Sequence, residues 1–522
     1  MPRPGNRVAS ERPRGAGSRN HIGARPGRPG LRWPAAAERG RAYNPPLVLD
    51  RELVQEVLEA ALARGGRFAE LFVEERTSLS SRLDDGKVEE LTSGLDRGAG
   101  VRVVHGETAA YAYSNRLDRA SLLSVAAAAA ASVREDGPAR VLDLRPAEPA
   151  VVHAAERPAD SVAPQRKVEW LREADDAARS VDPAVRQVVA MYGDSVQRVL
   201  IATSDGRWVE EERPRIRLVV QVVAARDGVI QTGFWGPAGL AGVEFVDRHP
   251  PREVAWRAAR QAVAMLAGVD APAGEMPVVM GPGGGGVLFH EACGHGLEGD
   301  LVQKGSSIYR GKLGQALASP LVTGVDDATV PNAWGSFSFD DEGWPAHRTV
   351  LFEAGVLQAY LYDRLRAERD GAESSGNGRR QSYAHLPIPR MTNTSILPGT
   401  ARAEDVIRDT TAGFYARTLG GGQVNTATGD FVFGVTEGYL IEGGEITRPI
   451  RGANLVGNGI AILSAIDAVA DDFERLEGTC GKDGQGVPVG NGSPTLRIGR
   501  MTVGGTAGAA GAGGVGGGGG RG

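Results

Sequence analysis

The chain has 522 residues, of which 41% are hydrophobic and 24% charged, with a formal net charge of −5 and two cysteines. That length exceeds what one hydrophobic core usually supports, and the charge balance gives no ground for nucleic-acid binding by the chain as a whole. Two cysteines exclude a disulfide framework and fit a reducing compartment, and no stretch reaches the roughly 20 apolar residues that span a bilayer.

Residues 1–45 are rich in Arg, Pro and Gly and lack the apolar core of a secretory signal. They read as a disordered basic arm, or as a start assigned too early, rather than as an amphipathic transit segment. The first element is a helix capped by Asp50, with Leu53, Val54, Val57, Leu58, Ala61 and Leu62 at helical spacing and Gly65-Gly66 at its end. Strands are expected over 67–77 and 99–104, and a second helix from Asp118 to Val133. The Ala126–Ala131 run belongs to that helix, since Ala is a strong helix former. Residues 46–136 thus read as an N-terminal α+β domain of α/β type.

Residues 137–272 read as a linker and middle α+β region. A Pro- and Ala-rich connection over 137–165 leads into a helix near Val168–Ala178. Strand-like alternation fills 186–234, with turns expected at Gly193-Asp194 and Asp205-Gly206, and a helix follows from Glu253 to Leu266. Pro272 and Gly274 mark a boundary. Residues 273–503 then read as a mainly antiparallel β domain with few helices. Its strands are expected at 348–353, 356–361, 431–435 and 438–442, with hairpin turns at Glu353-Ala354-Gly355 and Glu442-Gly443-Gly444. Residues 504–522, almost all Gly and Ala, bury too little to fold.

The segment 288–300, LFHEACGHGLEGD, carries the sharpest chemical signal. Two His flank a Glu, the logic of a zinc site in which a carboxylate takes a proton from acidified water. The spacing is H-E-x-x-x-H, one residue longer than the usual motif. On a regular helix residues five apart lie about 140° apart, so the helix must bulge, widen into a π-turn or end between them. Small Ala292, Cys293 and Gly294 make such a break cheap. Cys480, in the glycine-rich 477–486, is one candidate third ligand and Cys293 another. Glu298 and Asp300 serve as further ligands or as acceptors that orient an imidazole.

The segments HEACGHGLEGD, DDEGWP, GNGRRQSYAHLPIPRMTNT, LGGGQVN, GDFVFGVTEGYLIEGGEITRP and CGKDGQGVPVG, in this order, resemble the TldD/PmbA family on its TldD side. The similarity runs over about 46–503 and leaves both chain ends outside. The resemblance implies a cytoplasmic zinc metallopeptidase with metal ligands His290, His295 and Cys480 and general base Glu291. It also implies a related TldE/PmbA subunit as partner, and unstructured peptides as substrates, lying extended in a cleft.

Less follows for the other motifs. LGGGQVN (419–425) offers glycine backbone to a peptide, or is a flexible turn. His385, Tyr383 or Arg390 is placed to stabilise an oxyanion, whereas Arg379, Arg380 and Arg390 read better as ion-pair partners of Asp340, Asp341 or Glu342. Two rival readings stay open: a partner or scaffold subunit with structural zinc, and a hydrolase whose nucleophile is Cys480 or Cys293.

Overall fold

The computed structural model describes residues 49–133 and 141–505. The expectations for 1–45 and for nearly all of 504–522 therefore lie outside the described residues, although Gly504 still pairs with Asn454 as the end of a strand. The fold is α+β, as expected. Among the described residues no helix is long and apolar enough to cross a membrane.

The N-terminal and middle regions share one mainly antiparallel sheet. Its central strands run Lys87–His105, Phe68–Asp84, Val185–Thr203 and Arg207–Arg226 in that spatial order. Strand alternation gives the sheet two different faces. Leu71, Val73, Val101 and Leu200 pack under helices Arg51–Ala61 and Arg119–Ala131, and Val188, Ala190, Leu218 and Val220 pack under helices Pro164–Arg179 and Pro251–Met265. The residues between them, among them Glu70, Phe72, Glu74 and Arg76, turn to the opposite face. There Phe72 clusters with Val199, Ile201, Val209 and Phe339 of the C-terminal region.

Several local expectations are met. Asp50 and Asp118 cap their helices, accepting bonds from Glu52 N–H and Ser121 N–H. The turn at Asp205-Gly206 connects two strands of the sheet. The one expected at Gly193-Asp194 does not form: both residues lie inside a continuous strand, opposite Ser80 and Leu79. Pairing on both sides outweighs the local turn preference there. The hairpin that does form reverses at Asp85-Gly86, both at positive φ (49° and 77°), as a tight two-residue turn demands.

The C-terminal region holds an eight-stranded and a six-stranded sheet. Most pairs are antiparallel, but Val278 pairs in parallel with Phe414, and Asn393 in parallel with Gly490. Both expected hairpin turns are present, with Gly355 and Gly444 at φ near 80°. The two strands expected at 431–435 and 438–442 are one strand, Asp430–Glu442. The strand expected at 356–361 shortens to Val356–Leu357.

Buried ion pairs join the first sheet to this region. Arg102, 2% exposed, bonds Glu70 at 2.6 Å and Glu342 at 2.5 Å, and Glu70 also pairs with Arg380. Removing one member strands the others in a low-dielectric interior. Arg102→Leu is expected to destabilise the protein by about 3–5 kcal/mol, read by chemical denaturation, since Glu70 and Glu342 then lose a buried partner.

Candidate metal centre

Helix Gly284–Phe289 is packed so closely on a strand that a Cβ at Gly286 would run into the backbone of Asn491 and Gly492. The helix then widens. His290–Gly294 forms a π-turn, closed by the His295 N–H donating to the His290 carbonyl five residues back. A short 3₁₀ turn, His295–Leu297, follows. This is the break that the H-E-x-x-x-H spacing requires, because an i→i+5 bond brings residues five apart onto one side. The two imidazoles stand nearly perpendicular (87°) with centroids 5.0 Å apart.

Cys480 comes from the facing hairpin of strands Glu474–Lys482 and Gln485–Ser493, which reverses at Asp483-Gly484. The expected glycine-rich loop is thus a strand and a tight turn. One donor atom each from His290, His295 and Cys480 all lie within 4.8 Å of one another, and Cys480 Sγ is 3.3 Å from His295 Nε2. Tetrahedral zinc with ordinary Zn–N and Zn–S bonds spaces its donors about 3.3–3.7 Å apart, so the set has the right size and chemistry. His290 Nδ1 is buried with no hydrogen-bond partner among the described residues.

Electrostatics favour a thiolate. Burial pushes the Cys480 thiol up, but bonds and charge from His290 and His295 outweigh it and bring it down to about 4. Burial lowers His295, yet the Glu298 carboxylate and Cys480 hold it well above the usual imidazole range. Cys293 is no competitor: it lies fully in the core, its thiol donates to the Phe289 carbonyl, and burial pushes it well up.

Around these groups lies a ring of buried acceptors and donors. Glu298 Oε2 accepts from His295 Nδ1 at 3.0 Å, leaving Nε2 to face the site. Lys482 bonds Glu298 at 3.0 Å and Asp300 at 2.6 Å. Glu298 and Asp300 therefore act as orienting groups, and Lys482 is one that sequence reasoning missed, although it lies two residues from Cys480 and so on the same strand face. Among the described residues Arg390 forms no ion pair, and it is closed to solvent. Fully buried, it donates to the carbonyls of Cys480 (2.6 Å) and Gln485 (3.2 Å), clamping both strands of the hairpin.

Glu291 is partly exposed, its carboxylate 4.0 Å from His295 Nε2. It lines a cleft of about 490 Å³ together with His295, Cys480, Lys482 and Gly422–Val424 of the LGGGQVN segment. That segment is the end of strand Ala412–Val424, not a free turn. His385 is not brought here: it bonds Ser382 Oγ at 2.9 Å and lies outside the cleft lining.

Known proteins show the same organisation. Models of PmbA/TldA metallopeptidase domain 1, the central domain and the C-terminal domain match residues 69–133, 157–266 and 273–505. A metalloprotease TldD homolog of Haemophilus influenzae is 41% identical over 88% of this chain and 98% of its own length. This chain belongs to the PmbA/TldD metallopeptidase family. A metalloprotease of Methanothermobacter thermautotrophicus is 37% identical, over 83% of this chain and 94% of its own length. TldE from Thermococcus kodakarensis shares the fold, with a TM-score of 0.71 at 19% identity, covering 86% of this chain and 99% of that one.

The close approach of helix to strand gives a test of how the first His is placed. Gly286→Ala is expected to cost about 1–3 kcal/mol through overpacking, seen as a lowered melting temperature, because only backbone stands in the way of the new methyl.

Proposed function

We propose that the chain is a zinc-dependent peptidase acting on unstructured peptides, with His290, His295 and Cys480 as metal ligands and Glu291 as general base. One observation carries the reading: two imidazoles and a thiol lie within 4.8 Å of one another, and the residue after the first imidazole presents a carboxylate to the same cleft. Bound zinc supplies a Lewis acid at that point and lowers the pKa of water to about 7.

The chain's own groups do the rest. Glu291 takes a proton from the attacking water and returns it to the leaving amine. Glu298 fixes the tautomer and tilt of His295, and Lys482 holds Glu298 ionised. Between Leu419 and Val424 the strand at the cleft pairs, among the described residues, with Phe431–Val435 alone, so its other edge offers backbone groups to an extended peptide. His385, outside the cleft lining, has no part in this scheme.

The partner belongs to the same proposal. Relatives named TldD homologs, and a fold shared with a TldE, support a heterodimer in which this chain bears the metal and a TldE/PmbA-type subunit does not. Two free cysteines support a cytoplasmic setting.

Glu291→Gln is expected to keep stoichiometric zinc and lose about 10²–10⁴-fold in peptide hydrolysis. Unchanged turnover would remove Glu291 as base, and activity that persists in chelator but dies with iodoacetamide would establish a cysteine nucleophile instead. Glu298→Gln is expected to weaken zinc binding about 10–100-fold in a chelator competition, since His295 loses its orienting acceptor. Cys480→Ala should abolish stoichiometric zinc in metal analysis of the purified protein.

A further inference from the structure

Thr479 and Pro488 are a cross-strand pair on the Cys480 hairpin, and their side chains point away from those of Cys480 and Val487. On that side lies a second cavity of about 240 Å³, and Thr479 lines both it and the metal-side cleft. Its far wall is the charged face of the first sheet. Arg76, Gln197 and Arg213 stand in one cross-strand row, with Ser195 and Arg215 in the next. Arg379 and Arg380 close it from the C-terminal region.

The arginines here are not all neutralised. Arg213 pairs with Glu211 and Asp341, Arg380 with Glu70, and Arg76 with Glu74. Arg215 and Arg379 have no carboxylate partner among the described residues. Arg215 reaches only the Gln197 amide oxygen, at 3.0 Å, and its Nε is enclosed without any partner. Arg379, 3% exposed, donates to the carbonyls of Met391 and Pro488. Burial, with neighbouring guanidinium groups adding to it, brings Arg215 down to about 9, and burial brings Arg379 down to about 10 against the opposing charge of Asp341. Asp341 also lines the cavity and is the acid whose charge most favours Arg379, but it is bonded to Arg213, so five guanidinium groups outnumber the carboxylates paired with them and a further anion is favoured. A planar carboxylate matches the guanidinium fork in shape and charge.

We propose that this cavity is a subsite for a carboxylate of the peptide substrate, either its C-terminal carboxylate or an Asp or Glu side chain. The proposal rests on the peptidase reading and adds to it a charge preference. Because Thr479 lines both cavities, a peptide in the metal-side cleft that continues past Thr479 meets the arginines.

The test measures binding, in the full-length, zinc-loaded Glu291→Gln protein. The probes share one unstructured sequence without acidic side chains: the free acid, its C-terminal amide, and amides carrying a single Asp at each position in turn. A carboxylate-bearing probe is expected to bind tenfold or more tightly than the plain amide, and Arg215→Gln is expected to cut that ratio at least threefold. Preference for the free acid identifies the terminal carboxylate as the ligand, and preference for an Asp amide identifies a side chain. Arg215→Met, which keeps the aliphatic stem and removes the charge, gives the same readout should Arg215→Gln fail to fold. Kd values within threefold of the amide for every probe, or a preference that both variants leave intact, overturn the subsite. Turnover by the unsubstituted protein separates the two proposals. Cleavage of free acid and amide alike without a binding preference sinks only the subsite. Carboxylate discrimination without any cleavage sinks only the peptidase.

Discussion

The candidate metal centre depends on one buried carboxylate. Glu298 is wholly enclosed, with His295 Nδ1 and Lys482 Nζ each 3.0 Å from its Oε2. Burial alone would push it up, but the Lys482 charge and the His295 ring overcome this and hold it down to about 2. A buried anion is tolerable only when its partners stay in place. Those partners belong to two segments far apart in the chain, the turn bearing both imidazoles and the hairpin bearing the thiol, whose donors His295 and Cys480 are 185 positions apart. Glu298 therefore does two jobs with one charge: it orients a ring, and it fixes how the two segments meet.

The same device recurs on a larger scale. The first sheet buries ordinary apolar residues under its helices, but meets the C-terminal region through Glu70, Arg102, Glu342 and Arg380. Apolar contact tolerates sliding, whereas a displaced buried ion pair leaves charges uncompensated. Placing ions on this face fixes the relative position of the two regions. That in turn sets the shape of the arginine-lined cavity between them, to which Arg213 and Arg380 both contribute.

How far this was legible in the sequence depends on the range of the interaction. The widened turn at His290 was readable because its cause is local: five-residue spacing and small residues force a departure from the α-helix. Caps at Asp50 and Asp118 were readable for the same reason. Cys480 as the third donor was open from spacing alone, and only the family resemblance favoured it over Cys293. Gly193-Asp194 misled, since a turn preference counts for little in a strand paired on both sides, while the Asp85-Gly86 signal went unused although it turns one of the two long hairpins of the first sheet. The arginines misled most. Arg102 takes Glu342 and Arg213 takes Asp341, Asp340 accepts backbone N–H groups instead, and Arg380 meets Asp341 only through its main-chain N–H and the Asp341 carbonyl. Which guanidinium meets which carboxylate is decided by sheet register and docking, and no short motif carries that information.

The Cys480 hairpin shows why such non-local clamps matter to the chemistry. Strand side chains alternate with a period of two, so a one-residue slip would turn Cys480 toward the arginines and Thr479 toward the imidazoles. Glycines at 478, 481, 484, 486 and 490 leave few large side chains to resist such a slip. Resistance comes from beneath, through backbone carbonyls. Arg390 holds those of Cys480 and Gln485, and Arg379 holds that of Pro488, at 2.7 Å. Carbonyl clamps read register directly, since they contact the backbone at fixed positions whatever the side chains are. Arg379 thereby spends its donors on carbonyls rather than on an acid, so the guanidinium that clamps the hairpin meets no carboxylate directly among the described residues.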